Sequence, residues 1–146
     1  MKRLIQLNVN GELYEVAVHE HRTLAEVLRE ELDLIGTKEA CNQGDCGSCT
    51  VILDGKSVTA CLTLAVEAGG RDVRTIEGVA DGSEFNPVQK AFVEYGAIQC
   101  GFCTPGMVMS ATALLEENPK PTEDEVRVGI AGNICRCTGY TKIVEA

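Results

Sequence analysis

"GTKEACNQGDCGSCTV", residues 36–51, sets Cys41, Cys46 and Cys49 among two glycines, Gly44 and Gly47. Glycine weakens the interior of a helix or a strand, so this composition reads as a loop. The same glycines permit positive φ values and close backbone approach, which a loop wrapping a bound group requires. Directly after it, "TVIL", the "DG" turn at 54–55 and "KSVTACLT" predict a hairpin that carries Cys61 back toward the loop.

The segments on either side place this loop in a small sheet. "RLIQLNV" puts Ile5, Leu7 and Val9 on one face, with Leu4 opposite. "NG" at 10–11 is a strong hairpin signal, and "LYEVAV" returns with Tyr14, Val16 and Val18 alternating. In "TLAEVLREEL", Thr23 and Glu26 form a capping box, and Leu24, Val27, Leu28 and Leu32 make a helical apolar stripe. "DVRTI" at 72–76 closes the sheet. A sheet crossed by one helix is a β-grasp arrangement.

Between residues 77 and 86 the pattern lapses into "EGVADGSEFN", and beyond it almost every signal is helical. Asn86, Pro87 and Gln89 read as N-cap, first helical residue and capping partner, with a stop near Gly96. Thr104–Pro105 opens a second helix that runs to Pro119. Thr122 and Glu125 form another capping box, and "GYTKIVEA" opens a fourth helix. Ala146 cuts that amphipathic segment short, so a longer natural chain is expected. The fold class is α+β: a β-grasp domain over 1–76, a linker over 77–86, and an all-α four-helix bundle over 87–146.

The net charge of −9 argues against nucleic acid, whose binding needs Lys and Arg on phosphates, and against an anionic membrane surface. No apolar run approaches the roughly 18 residues of a membrane span. The basic start "MKR" leads into an alternating strand pattern, not a signal-peptide core, and a cytoplasmic location is expected. Cytosolic thiols stay reduced, so eight cysteines without an export signal favour metal ligation over disulfides.

Cys41, Cys46, Cys49 and Cys61 follow C-x4-C-x2-C plus a distant fourth cysteine, the plant-type [2Fe–2S] ferredoxin spacing. Structural zinc usually takes two short pairs, which this continuous loop suits poorly. Compared with plant ferredoxins, the last cysteine is much closer to the loop. The second quartet is Cys100 and Cys103 in "CGFC" with Cys135 and Cys137 in "CRC". Each pair precedes a predicted helix, where the dipole and free N–H groups favour thiolates. Spacing alone leaves both [2Fe–2S] and zinc open at this second site. Met107 and Met109 read as core. His19 and His21 read as surface residues, and Arg136 as pointing away from its flanking cysteines.

"GTKEACNQGDCGSCTV", "QCGFCTPG" and "GNICRCTGY" together resemble the small iron–sulfur subunit of the molybdenum hydroxylases, the family of xanthine dehydrogenase, aldehyde oxidoreductase and carbon monoxide dehydrogenase. The resemblance covers nearly the whole chain and all eight cysteines. It implies a plant-ferredoxin-like domain with one [2Fe–2S] cluster on Cys41, Cys46, Cys49 and Cys61, nearer FAD. It implies a helical domain with a second cluster on Cys100, Cys103, Cys135 and Cys137, nearer molybdenum. It further implies that Gln99 and Cys137 approach molybdopterin, in bacterial relatives often the cytosine dinucleotide form.

The chain itself offers no Walker loop, no Rossmann fingerprint and no nucleophile–base pair, so no catalytic residue is expected in it. What the resemblance implies is an electron-transfer subunit. It would stand between a large molybdopterin-binding subunit and a medium FAD-binding subunit, in a dimer of heterotrimers. A free-standing two-cluster ferredoxin and a zinc-stabilised interaction module are the alternatives. The substrate is not written in this chain.

Overall fold

A computed structural model describes Met1–Ala146. It is α+β, with one mixed five-stranded sheet and five α-helices. The first hairpin pairs β1 (Lys2–Val9) with β2 (Glu12–His19), antiparallel. Its turn is built by Asn10 and Gly11, at φ 53° and 80°. Two consecutive positive φ values make the turn whose twist matches a right-handed hairpin, which is why Asn-Gly works there. Asp54 and Gly55 repeat the device, at 49° and 81°, between β3 (Thr50–Leu53) and β4 (Lys56–Thr59). β5 (Asp72–Arg74) lies between the hairpins, parallel to β1 and antiparallel to β3, giving the order β2-β1-β5-β3-β4.

One face of the sheet is covered by α1 (Leu24–Glu30). Ile5, Leu7 and Val9 from β1 join Leu24, Val27 and Leu28 in a core that also takes in Cys49 and Cys61. Leu4, on the other face, stays 62% exposed. Thr23 and Glu26 form the expected reciprocal cap, but α1 ends at Glu30, before Leu32. Cys61 sits just past β4, in a 3₁₀ turn over Ala60–Leu62.

The second half contributes α2 (Pro87–Glu94), α3 (Thr104–Glu117), α4 (Glu123–Gly129) and α5 (Thr141–Glu145). The caps at Asn86/Gln89 and Thr122/Glu125 are both closed, and Gly96 ends the α2 segment at φ 66°. α5 begins later than the sequence signal at Thr138–Gly139, after a left-handed Tyr140. Val88, Phe92, Met107, Val108, Ile130 and Ile143 form a second core.

α3 serves both halves. Met107 and Val108 point into the helical core, while Met109 and Ala113 pack on Ile52 of β3. β3 is therefore buried along its whole length. That accounts for "TVIL" being an apolar run where a half-solvated strand would alternate. No helix is long and apolar enough to cross a membrane.

Candidate metal centres

The first cysteine loop turns through three left-handed positions, Asn42, Gly44 and Gly47. These turns direct N–H groups inward. The Cys46 N–H lies 3.4 Å from the Cys41 sulfur. Donors from the Gln43 and Cys46 backbone hold the Cys41 thiol down to about 6, far below an ordinary cysteine. The Cys46 thiol is 3.5 Å from the Ser48 hydroxyl, which can turn to donate to a thiolate. Cys49 and Cys61 form a second close pair. Burial pushes Cys49 up to about 12, the Cys61 N–H opposing and the Cys61 thiol adding to the rise. Cys46 also lies within electrostatic reach of Cys49.

The second group forms where α3 starts and the "CRC" turn passes it. Cys103 occupies the N-cap position of α3 with no side-chain cap of its own; the Thr104 N–H bonds the Gly101 carbonyl at 3.3 Å and Pro105 has no N–H, so the Gly106 N–H is the first-turn donor left free. Burial pushes its thiol up to about 11, and the facing Cys135 thiol adds to this. Burial acts on Cys135 too, but donors outweigh it and its thiol is lowered: the Thr138 hydroxyl, 3.1 Å away, and the N–H groups of Thr138 and Cys137. Cys137 faces Cys100. The Cys100 backbone favours its thiolate, but the Cys100 thiol and burial prevail and raise it. Cys100 and Cys137 are exposed, whereas Cys103 is half-buried and Cys135 buried.

Each quartet thus stands as two pairs: Cys41 with Cys46 and Cys49 with Cys61, then Cys103 with Cys135 and Cys100 with Cys137. No three His, Cys, Asp or Glu side chains close on one point as a single ion would need. Two pairs suit a two-iron group, each iron taking two thiolates, better than one tetrahedral zinc. Four neighbouring thiols cannot all ionise unaided. A cationic centre removes that conflict, because a coordinated thiol is deprotonated outright. Together with the N–H and O–H groups already aimed at sulfur, the donor set fits [2Fe–2S].

Gln99 is exposed beside Cys100, and Arg136 is exposed between its cysteines. His19 and His21 stack on each other, centroids 5.5 Å apart, on the surface. Met107 and Met109 are fully buried core. Sequence reasoning missed the polar groups that hold the "CRC" turn: Thr138, and Tyr140, whose hydroxyl accepts from the Cys135 N–H at 2.9 Å. The "TGY" after the cysteines was the available signal, since Thr and Tyr are the local groups able to bond a sulfur or a buried N–H.

The two groups meet. The Ile134 N–H donates to the Cys46 carbonyl at 2.9 Å, one residue before Cys135. Gly47 and Gly106 make the approach possible. A Cβ on Gly47 would strike the Gly132 carbonyl and lie 2.8 Å from Asn133 Nδ2, and one on Gly106 would strike the Gly47 carbonyl.

Residues 7–73 match the family of 2Fe-2S iron-sulfur cluster binding domains, and residues 75–146 match that of [2Fe-2S] binding domains. The nicotine 6-hydroxylase small subunit of Paenarthrobacter nicotinovorans is 51% identical, over 97% of this chain and 86% of its own. The nicotinate dehydrogenase small FeS subunit of Eubacterium barkeri is 47% identical, over 99% and 92%. Among solved structures, quinoline 2-oxidoreductase from Pseudomonas putida 86 superposes with a TM-score of 0.96 at 46% identity, over 99% of this chain and 89% of that one. Aldehyde oxidoreductase from Desulfovibrio gigas superposes with a TM-score of 0.93 at 44% identity, over 98% of this chain and 16% of that longer one. With two matching domains, eight cysteines in two paired quartets and relatives aligned nearly end to end, the chain belongs to the small [2Fe–2S] iron–sulfur subunits of the molybdenum hydroxylase family.

Proposed function

We propose that this chain passes electrons one at a time between the molybdopterin site of a large subunit and the FAD of a medium subunit. The observation that carries this reading is the gathering of eight cysteines into two paired quartets joined by a single backbone hydrogen bond. Cys41, Cys46, Cys49 and Cys61 hold one [2Fe–2S] cluster, and Cys100, Cys103, Cys135 and Cys137 the other. When bound, each cluster supplies one-electron redox chemistry.

The protein's part is to hold, shield and tune. The Gln43 and Cys46 N–H groups and the Thr138 hydroxyl favour extra negative charge on sulfur, which raises the potential of the site they serve. Burial of Cys49 and Cys61 in the apolar core opposes reduction and keeps water away. Gln99, next to the second quartet, and Cys137, within it, are both exposed, which supports reading them as the contacts of a pterin of the cytosine dinucleotide form. The ferredoxin-like β-grasp unit spans 1–76, with 77–86 as linker and a four-helix bundle over 87–146. The two closed cores, one on either side of that segment, support this division. A dimer of heterotrimers in the cytoplasm completes the reading.

Iron analysis and EPR of the reduced protein test it. Two distinct [2Fe–2S] signals are expected. Cys135→Ser should abolish one and spare the other. A colourless protein with stoichiometric zinc, or simultaneous loss of both signals in a folded variant, would overturn the assignment.

A further inference from the structure

Asn133 is 5% exposed, yet its side chain bonds two separate segments, the turn over 47–50 and α3. Its Nδ2 donates to the Gly47 carbonyl at 3.1 Å and faces the Thr50 hydroxyl at 3.4 Å. Its Oδ1 accepts from the Ser110 hydroxyl of α3 at 2.6 Å. A buried amide with both ends engaged is held in one orientation. The Gly47 carbonyl also takes the Thr50 N–H and the Thr50 hydroxyl, so it is fixed from three directions. Immediately beside it stands the Cys46 carbonyl, and immediately after Asn133 comes the Ile134 N–H that bonds this carbonyl.

The bond from Ile134 to Cys46 is a direct covalent-plus-hydrogen-bond link between the quartets, running from Cys46 to Cys135 through Ile134. We propose that Asn133 is the positioning residue that keeps this link closed and thereby sets the rate of electron transfer between the two cysteine quartets. It touches neither sulfur nor iron. It acts by clamping the peptides on both sides: Gly47 next to Cys46, and its own next to Ile134. Ser110 locks the clamp onto α3, the one helix that packs on both halves. The step moves one electron and nothing else. With a cluster held by each quartet, the electron lost at one would be gained at the other, with no proton moved and no bond broken.

This inference rests on the two-cluster reading, and the test separates the two. The full-length chain, loaded with iron and sulfide, is given one electron per molecule by pulse reduction. Redistribution between the two EPR signals is then followed by rapid freezing. Wild type lacking two signals would bring down the cluster reading, and this inference with it. With two signals present, Asn133→Ala should keep its iron and both cluster potentials while redistribution slows by about tenfold, the consequence of leaving buried partners unpaired. Ser110→Ala, which frees only one end of the amide, should slow it by about threefold. A purely structural role would lower iron content or stability without changing the rate in molecules that retain both clusters. Unchanged redistribution in a fully loaded Asn133→Ala overturns the proposal. If that variant fails to load, Ser110→Ala decides: a slowed rate with full iron supports the clamp, and an unchanged rate or lost iron overturns it.

Discussion

At the scale of single residues, short polar side chains decide where segments begin and favour the thiolate at Cys135. Thr23 and Glu26 show the first role. The Glu26 N–H reaches the Thr23 hydroxyl at 3.2 Å, and Glu26 returns to the Thr23 N–H at 2.7 Å. That backbone bond, reinforced by the Thr23 hydroxyl and Arg22 against the opposing effect of burial, holds Glu26 below the usual carboxylate range. The sign follows from this lowering. Stability from ionised Glu26 is fully present above its unfolded value and disappears as pH falls through its lower folded value. Chemical denaturation at neutral pH should therefore find Thr23→Ala destabilised by about 1 kcal/mol. Glu26→Gln should also be weaker than wild type at neutral pH, and the gap between them should narrow as pH drops below 4.5, the ordinary value for this group. A gap that is constant with pH would deny Glu26 this role. Thr138 shows the second role, its hydroxyl donating directly to the Cys135 sulfur at 3.1 Å. Thr138→Val should keep the second cluster's iron but lower its potential, measurable by redox titration of the EPR signals. An unmoved potential would leave Thr138 with packing alone.

At the scale of elements, the start of α3 lies against the first cysteine loop, and Gly106 is the contact. Gly→Ala inside a helix normally stabilises by about 1 kcal/mol. Here the new methyl would run into the Gly47 carbonyl, with Ser48 Cα only 3.1 Å away. Both obstacles are backbone and cannot swing aside. Gly106→Ala should therefore destabilise, by about 1–3 kcal/mol as overpacking does, reversing the propensity trend. Thermal unfolding checks the sign directly: a raised midpoint would mean that the loop and helix separate easily. Gly106 also marks the limit of what the sequence made legible. Local signals were reliable. The Asn-Gly and Asp-Gly turns, three capping boxes and the alternation in β1 each depend on residues a few positions apart. The cysteine spacings suggested two quartets because ligands must converge, and the structure pairs the cysteines within each proposed quartet. What escaped was contact between distant segments. Asn133 to Gly47 spans 86 positions, and no periodicity encodes it. Nor could the pattern of α3 show that Met109 and Ala113 face β3 while Met107 and Val108 face the helices, because a helix apolar nearly all round has no single inner face.

At the scale of the whole molecule, the two quartets differ in their access to solvent. Cys49 and Cys61 are buried and Cys41 and Cys46 half-buried, whereas Cys100 and Cys137 are exposed. Around the second quartet the surface is apolar as well as open: Ile98 is 38% and Phe102 45% exposed, flanking Gln99 and Cys100. An aromatic and an aliphatic side chain around a polar amide have the character of an interface centre. The proposed pterin contact and the docking of the large subunit would thus share one patch. This makes Gln99 separable from the cysteines beside it. Gln99→Ala touches no sulfur, so iron content and both EPR signals of the isolated chain should match wild type. In the assembled complex, loss of one amide hydrogen bond should slow substrate-driven reduction of the clusters by about fivefold or weaken co-purification of the large subunit to a similar degree. Arg136→Ala supplies the contrast. Its exposed guanidinium lies between Cys135 and Cys137 but has no ion-pair partner within the chain, and both readouts should stay unchanged. Stopped-flow reduction and pull-down from the co-expressed complex measure the two effects. Equal behaviour of Gln99→Ala and wild type in both would remove Gln99 from the contact. A defect in Arg136→Ala equal to that of Gln99→Ala would make charge, and not the amide, the feature that the large subunit reads.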